Sequence, residues 1–488
     1  MVGPVSRAGA AVSALVRALG TIAASAVLLA GRAPAVESQR VLADAATVAE
    51  ARALLTALVA AKTTPEFGSV AAARLVAERF RAAGWPAADV EVAGGSPKHQ
   101  NVVVRWRATS PAAKPVLFMS HLDVVDARRE DWDSDPFVLR EKDGYLYGRG
   151  VLDDKAAVAG WTVGLISLRR EGWRPSRDIV LVLTADEETA TNDGTDWLLQ
   201  NRSSLFDVDF AINSDAAGPE LHGGKVTVFS VDVAEKATTL FDLSVANVGG
   251  HSSRPRGDNA IYALARALLR LEGYVFPAQL TDIQRSALAR AAESATPAMS
   301  DAIRAIERDP NDTAAGRVLA SAAHLNALVR TTCVATQLAA GHATNALPQR
   351  ATATVNCRIL PGVAPDTVTA VLRRVVGDTA AHVTLRPLQF PAAPATPMRD
   401  DVRALLERAV HASWGPQVRV QPTLSLGASD GSFTRARGIP TYTIWFTPLD
   451  PADMRAHGRD ERILVRSFEE SVAFARSVIR EAAGPARR

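Results

Sequence analysis

Between residues 44 and 235 the chain switches repeatedly between two apolar rhythms. The segments "TVAEARALLTALVAA" and "SVAAARLVAERFRAAG" space their apolar residues three and four apart, which predicts two helices, the second stopping at Gly84. Shorter apolar runs, "DVEVA", "NVVVRW" and "PVLFMS", predict strands. Helix "DKAAVAGWTVGLISLRREG", strand "DIVLVLT", helix "GTDWLLQNR" and strand "VDFAINS" follow. Near-continuous apolar strands alternating with helices predict an α/β fold with a mixed, mostly parallel sheet and helices on both faces.

The rhythm changes near residue 236. Strand "ATTLFDLSVAN", helix "NAIYALARALLRLE", strands "LVRTTCVATQLAAG" and "RATATVNCRIL", helix "APDTVTAVLRRVVG" and strand "HVTLRPLQ" run in the order βαββαβ. That order is the split-βαβ, ferredoxin-like unit. A helical insert over about residues 276–327 separates its first helix from its second strand. From residue 393 the first pattern resumes with helix "DVRALLERAVHAS", strand "TYTIWF" and helix "SFEESVAFARSVIREAA". The expected organisation is an α/β domain in two parts, residues 41–235 and 393–488, interrupted by an α+β domain over 236–392.

Composition narrows the class. In 488 residues, 47% hydrophobic and 22% charged with a formal net charge of +3, there is neither a disordered profile nor a basic cluster with interleaved aromatics. Nucleic acid is therefore not an expected partner. Residues 1–40 differ: Arg7 and Arg17 precede an apolar run over 18–31, then "APA", with no acid before Glu37. This reads as a signal peptide or N-terminal anchor, so export to the periplasm or medium is expected, with a membrane tether if the segment is retained. The two cysteines, Cys333 and Cys357, fall on strands expected to pair; a bridge and two buried thiols both stay open.

The chemistry lies where the strands end. "PVLFMS" runs into His121 and Asp123, "DIVLVLT" into Asp186, Glu187 and Glu188, and "VDFAINS" into Asp215. Asp153 and Asp154 open a helix, and His457 follows the last strand by a loop. In open α/β sheets, loops at the carboxyl ends of strands converge on a ligand crevice. A single histidine is more often structural, and "DD" at a helix start is often a cap. Five segments converging with His and carboxylates suit N/O ligation of a borderline cation, zinc first, with cobalt or manganese as substitutes.

"SHLDVV", "GRGVLDDKAA", "TADEE", "GGHSSRP" and "HGRDERI", in this order, resemble the di-zinc metallopeptidase family of aminoacylases, glutamate carboxypeptidases and succinyl-diaminopimelate desuccinylases. The stretch "LNALVRTTCVATQLAAGHATNALPQRATATVNCRILPG" is most similar to the carboxypeptidase S branch, with its Gly-Xaa carboxypeptidase and N-acyl amino acid hydrolases. The resemblance implies a zinc-exopeptidase-like catalytic domain with a lid that serves dimerisation. It implies two zinc ions per subunit, one held by His121, Asp154 and Asp215, the other by Glu188, Asp154 and His457. It makes Glu187 the general base, Asp123 the group that orients His121, and His251 an oxyanion stabiliser reaching a site from the lid. Asn345, Arg358 and Arg435 match substrate-binding positions, with Arg435 expected to grip a terminal carboxylate. The implied reaction is hydrolysis of small peptides with a free C-terminus, of Gly-Xaa type. The alternatives are an aminoacylase-like N-acyl amino acid amidohydrolase and a non-catalytic metal-binding relative. Two departures stand out: "TATNDG" replaces a Gly-Gly after the acidic pair, and "NSDAAG" replaces a more usual Glu-Gly-Gly context at Asp215.

Overall fold

A computed structural model describes residues 43–189, 193–377 and 379–485. The expected N-terminal signal or anchor, and Ala190, Thr191 and Asn192 of "TATNDG", lie outside the described residues. Among the described residues no helix is long and apolar enough to cross a membrane.

Among the described residues, a mixed sheet of nine strands forms the centre. Its middle strands Ile179–Thr184, Val116–His121, Phe210–Asn213 and Thr441–Thr443 are neighbours and run parallel. Asn101–Trp106 pairs antiparallel on one side, and Lys225–Glu235 joins antiparallel on the other. Strands Lys225–Glu235 and Arg419–Ser425, which pair in parallel, were not expected from the apolar runs. The latter is interrupted by Pro422 and is only partly buried, so its period is weak.

Both faces of the sheet are covered. Val116 and Phe118 contribute to a core shared with helices Ala45–Ala60, Lys155–Arg170, Asp400–Trp414 and Val465–Ala483. Leu117 and Met119, which alternate with them, join a second core with Leu198 and Leu199 of helix Gly194–Asn201. Strand Val116–His121 is thus buried along its whole length, and only its carboxyl end is free to carry chemistry.

The inserted unit has a four-stranded sheet. Thr332–Ala340, Arg350–Ile359, Ala237–Ala246 and His382–Leu385 lie in that order, all antiparallel, as a ferredoxin-like unit requires. Helices Ala260–Glu272 and Pro365–Val376 close one face around Phe241, Leu264 and Leu372. Cys333 and Cys357 stand opposite in register and form a disulfide. A cross-link over 24 residues restricts the unfolded chain. C333A/C357A is expected to lower the free energy of unfolding by about 2–4 kcal/mol, read by urea denaturation. Equal midpoints for variant and parent would show that the bridge does not form.

Candidate metal centre

Three strand ends and two loops deliver the acids and imidazoles to one place. Nε2 of His121 stands 2.8 Å from Oδ1 of Asp153 and 3.9 Å from Oδ1 of Asp215. Nε2 of His457 stands 3.2 Å from Oδ2 of Asp153 and 2.8 Å from Oε2 of Glu188. One carboxylate therefore presents one oxygen to each imidazole. Glu187, Asp215 and His121 form a second convergent group, with a ligand atom from each within 4.8 Å of the others. His457 is 54% exposed while the other partners are buried, so the cluster opens toward solvent on its side.

Sequence reasoning expected Asp154 at the shared position; the structure puts Asp153 there. Asp154 is fully buried, accepts a hydrogen bond from the Ser214 hydroxyl (3.2 Å) and precedes helix Lys155–Arg170. A cis peptide bond joins the two residues. Adjacent acids carry the same charge and spacing, so only the path of the turn decides which one meets the imidazoles. That path is set by Glu461, which the sequence did not single out. Its carboxylate accepts the backbone N–H groups of Gly150 (3.0 Å), Leu152 (2.8 Å) and Asp153 (3.2 Å) and pairs with buried Arg149 (2.7 Å). Arg149 in turn donates to the carbonyl of Gly458, next to His457 (3.1 Å). The Arg149–Glu461 pair thereby ties the Asp153 turn to the His457 loop.

Asp123 does more than was expected of it. Its two carboxylate oxygens accept the backbone N–H groups of Glu187 (3.2 Å) and Glu188 (3.1 Å), which fixes the acidic turn. The partner of His121 Nδ1 is instead the Asp123 backbone carbonyl, at 3.0 Å, against 3.6 Å to the carboxylate. Nδ1–H therefore donates to that carbonyl, and Nε2, which faces Asp153, is the nitrogen that would give up its proton to a ligated cation. Asp186 turns the chain in the left-handed region (φ +58°), with its carboxylate 2.5 Å from Nδ1 of His99. Just downstream, a Cβ on Gly194 would sit 2.0 Å from Asn101 Oδ1, so only glycine lets this loop close against the sheet.

The electrostatics are one-sided. Burial pushes Glu187 well above the usual carboxylate range, with Asp215 adding to the rise and His121 opposing it. Burial also drives Asp215 upward against the pull of His121. For Asp153, hydrogen bonds from His121 and His457 outweigh burial and hold the carboxyl far below its ordinary value. Those same bonds to Asp153 and Glu188 raise His457 to about 10. Among the described residues, Asp215 Oδ2 and Asp154 Oδ1 are buried without a hydrogen-bond partner. Several carboxylates around two imidazoles, with orphaned oxygens, fit a cationic metal centre and are poorly satisfied by protons alone.

The remaining expected residues separate. His251 and Asn345 meet on an exposed two-stranded ribbon, where His251 is in register with Ala346 and Asn345 carbonyl accepts from Ser252 N–H (2.9 Å). Nδ1 of His251 accepts from the Ser253 hydroxyl (2.8 Å). Arg358, on strand Arg350–Ile359, donates to the Thr238 hydroxyl (2.5 Å). Arg435 is a correction. Its guanidinium is buried, paired with Glu235 (2.9 Å), and also donates to the carbonyls of Thr441 (3.1 Å) and Asp232 (3.0 Å). Its donors are spent on joining helix Gly431–Ala436 to the neighbouring strands Lys225–Glu235 and Thr441–Thr443 and not on a substrate carboxylate. R435A is expected to destabilise by about 3–5 kcal/mol, since Glu235 would be left buried and unpaired. Thermal unfolding together with KM checks this. A raised KM in a protein of unchanged stability would return Arg435 to the substrate.

The model of peptidase family M20/M25/M40 matches residues 117–481. A probable carboxypeptidase S-like 2 of Dictyostelium discoideum is 30% identical over 388 residues, covering 77% of this chain and 73% of its own. An N-fatty-acyl-amino acid synthase/hydrolase of Homo sapiens is 30% identical over 394 residues, covering 77% and 76%. The crystal structure of an M20 metallo-carboxypeptidase from Sulfolobus solfataricus superposes with a TM-score of 0.67 at 17% identity, over 88% of this chain and 98% of that one. The chain belongs to the metal-dependent peptidase and amidohydrolase family M20/M25/M40.

Proposed function

We propose that the protein is a di-zinc amidohydrolase that cleaves small peptides bearing a free C-terminal carboxylate, of Gly-Xaa type. The observation that carries this reading is the Asp153 carboxylate, which has one oxygen toward His121 and the other toward His457. In this reading His121, Asp153 and Asp215 hold one zinc, and His457, Glu188 and Asp153 hold the other. The zinc pair, when bound, supplies the Lewis acidity that makes hydroxide available near neutral pH.

The chain's own residues do the rest. Glu187 accepts the proton of the attacking water and returns it to the departing amine. Its backbone is pinned by Asp123, which keeps the carboxylate beside the convergent imidazole and acids. Arg358 is the remaining guanidinium for the terminal carboxylate. His251 and Asn345, on an exposed ribbon, suit completion of the site in a second copy of the chain, and so a homodimer through the inserted unit. A cross-strand disulfide and the apolar N-terminal segment together support export.

A second reading, hydrolysis of N-acyl amino acids, is favoured by one observation. A relative named for fatty-acyl amino acids is as similar as the carboxypeptidase S-like one. Both substrate classes end in a carboxylate, and they differ on the acyl side. Turnover of Gly-Xaa, β-Ala-Xaa, N-acetyl and long-chain N-acyl amino acids, with and without a chelator, separates them. The first reading expects chelator-sensitive release of Xaa from Gly-Xaa as the fastest reaction.

Two point-mutant tests follow from the roles. E187Q is expected to lower kcat by roughly 10²–10⁴-fold while zinc per chain stays at the parent value; parent-like kcat would remove Glu187 from proton transfer. D153N is expected to lose bound zinc and activity together, whereas D154N keeps its zinc. Elemental analysis after gel filtration reads both. The opposite pattern would restore Asp154 to the shared position.

A further inference from the structure

Away from the metal centre, the inserted helices enclose a cleft of about 520 Å³, within the range of small-molecule sites. Its lining comes from the segment after helix Ala260–Glu272 and from helix Thr313–Ala320. Val275, Phe276, Pro277 and Ala320 give it an apolar wall. Arg330, only 4% exposed, is part of its lining, and among the described residues its Nε and Nη2 have no hydrogen-bond partner. Burial is the sole influence found on this guanidinium, and it acts against the charge. The one acid in the lining, Asp312, is occupied: Oδ1 caps the helix by accepting from the N–H groups of Ala314 and Ala315.

A buried cation without a counter-ion is costly to keep, so its retention asks for an anion that arrives from outside. The site is also prearranged. Lys236 Nζ donates to the carbonyls of Arg330 (2.8 Å) and Ala327 (2.9 Å), which locks the backbone from which the guanidinium projects. Gly316 faces the group: a Cβ there would already touch Nη2 at 3.6 Å. A glycine inside a helix costs about 1 kcal/mol relative to alanine, and here it keeps side-chain atoms of the helix off the buried guanidinium. A planar fork with free N–H groups matches a carboxylate bidentately, and the apolar wall beside it matches a short hydrocarbon chain. We infer that this cleft binds a small monocarboxylate, its head on Arg330 and its apolar body along Val275, Phe276, Pro277 and Ala320. The inference does not depend on the choice of peptide or N-acyl substrate.

Hexanoate is the probe, with hexan-1-ol and inorganic phosphate as controls, titrated calorimetrically into the metal-loaded full chain. The parent, R330M and A320F are compared; Ala320 is exposed, so filling the cleft there leaves the core intact. Carboxylate binding at the metal centre is common to all three proteins and cancels. The parent is expected to show an additional saturable site for hexanoate that weakens at least about tenfold, equivalent to 1.4 kcal/mol, in R330M and is blocked in A320F. Hexan-1-ol is expected to leave that site empty, and peptidase activity to stay at the parent level in both variants. Identical hexanoate isotherms in the three proteins would overturn the inference. Phosphate binding lost in R330M, without hexanoate binding, would overturn the assigned ligand class.

Discussion

The structure depends on keeping several carboxylates together where water is scarce. Asp153, Glu187, Glu188 and Asp215 converge on two imidazoles at the end of a parallel sheet. Their mutual repulsion is weak in water and severe in a low-dielectric interior. Burial first and that repulsion second push Glu187 and Asp215 upward, toward their protonated forms. Bound divalent cations would relieve more of it, and the proposed amide hydrolysis would draw on the same cations. Folding energy and chemistry thus meet in one demand.

Two buried acids that take no part in that convergence hold it in place. Asp123 fixes the acidic turn through two backbone N–H groups. Glu461 fixes the Asp153 turn through three, and Arg149 extends its hold to the His457 loop. Each uses backbone donors that would otherwise be orphaned beside the site. Positions needed to a fraction of an ångström are set by rigid strands and by these clamps rather than by the mobile ends of the ligating side chains.

Much of this was legible beforehand. The apolar runs located the central parallel strands, because strands buried on both faces read as continuous Val, Leu and Ile. Their carboxyl ends then marked His121, Glu187, Glu188 and Asp215 by position alone. The ferredoxin-like order of the insert was equally plain. What failed did so for physical reasons. Asp153 and Asp154 are neighbours of one chemistry, and the choice between them lies in a turn governed by Glu461, some three hundred positions away. Arg435 looked like a carboxylate grip because a sequence cannot show that Glu235 already occupies it. Strand Arg419–Ser425 was hidden by its proline and its half-exposed face. The unpaired charge of Arg330 left no pattern at all, since absence of a partner is a property of three-dimensional surroundings.

The central claim is that Asp153 lies between two cations. Anomalous diffraction from crystals of the zinc-loaded protein, collected on either side of the zinc edge, tests it most directly. The account predicts two peaks, one on each side of the Asp153 carboxylate, adjoining His121 and His457 respectively. A single peak, or a pair flanking Asp154, would contradict it.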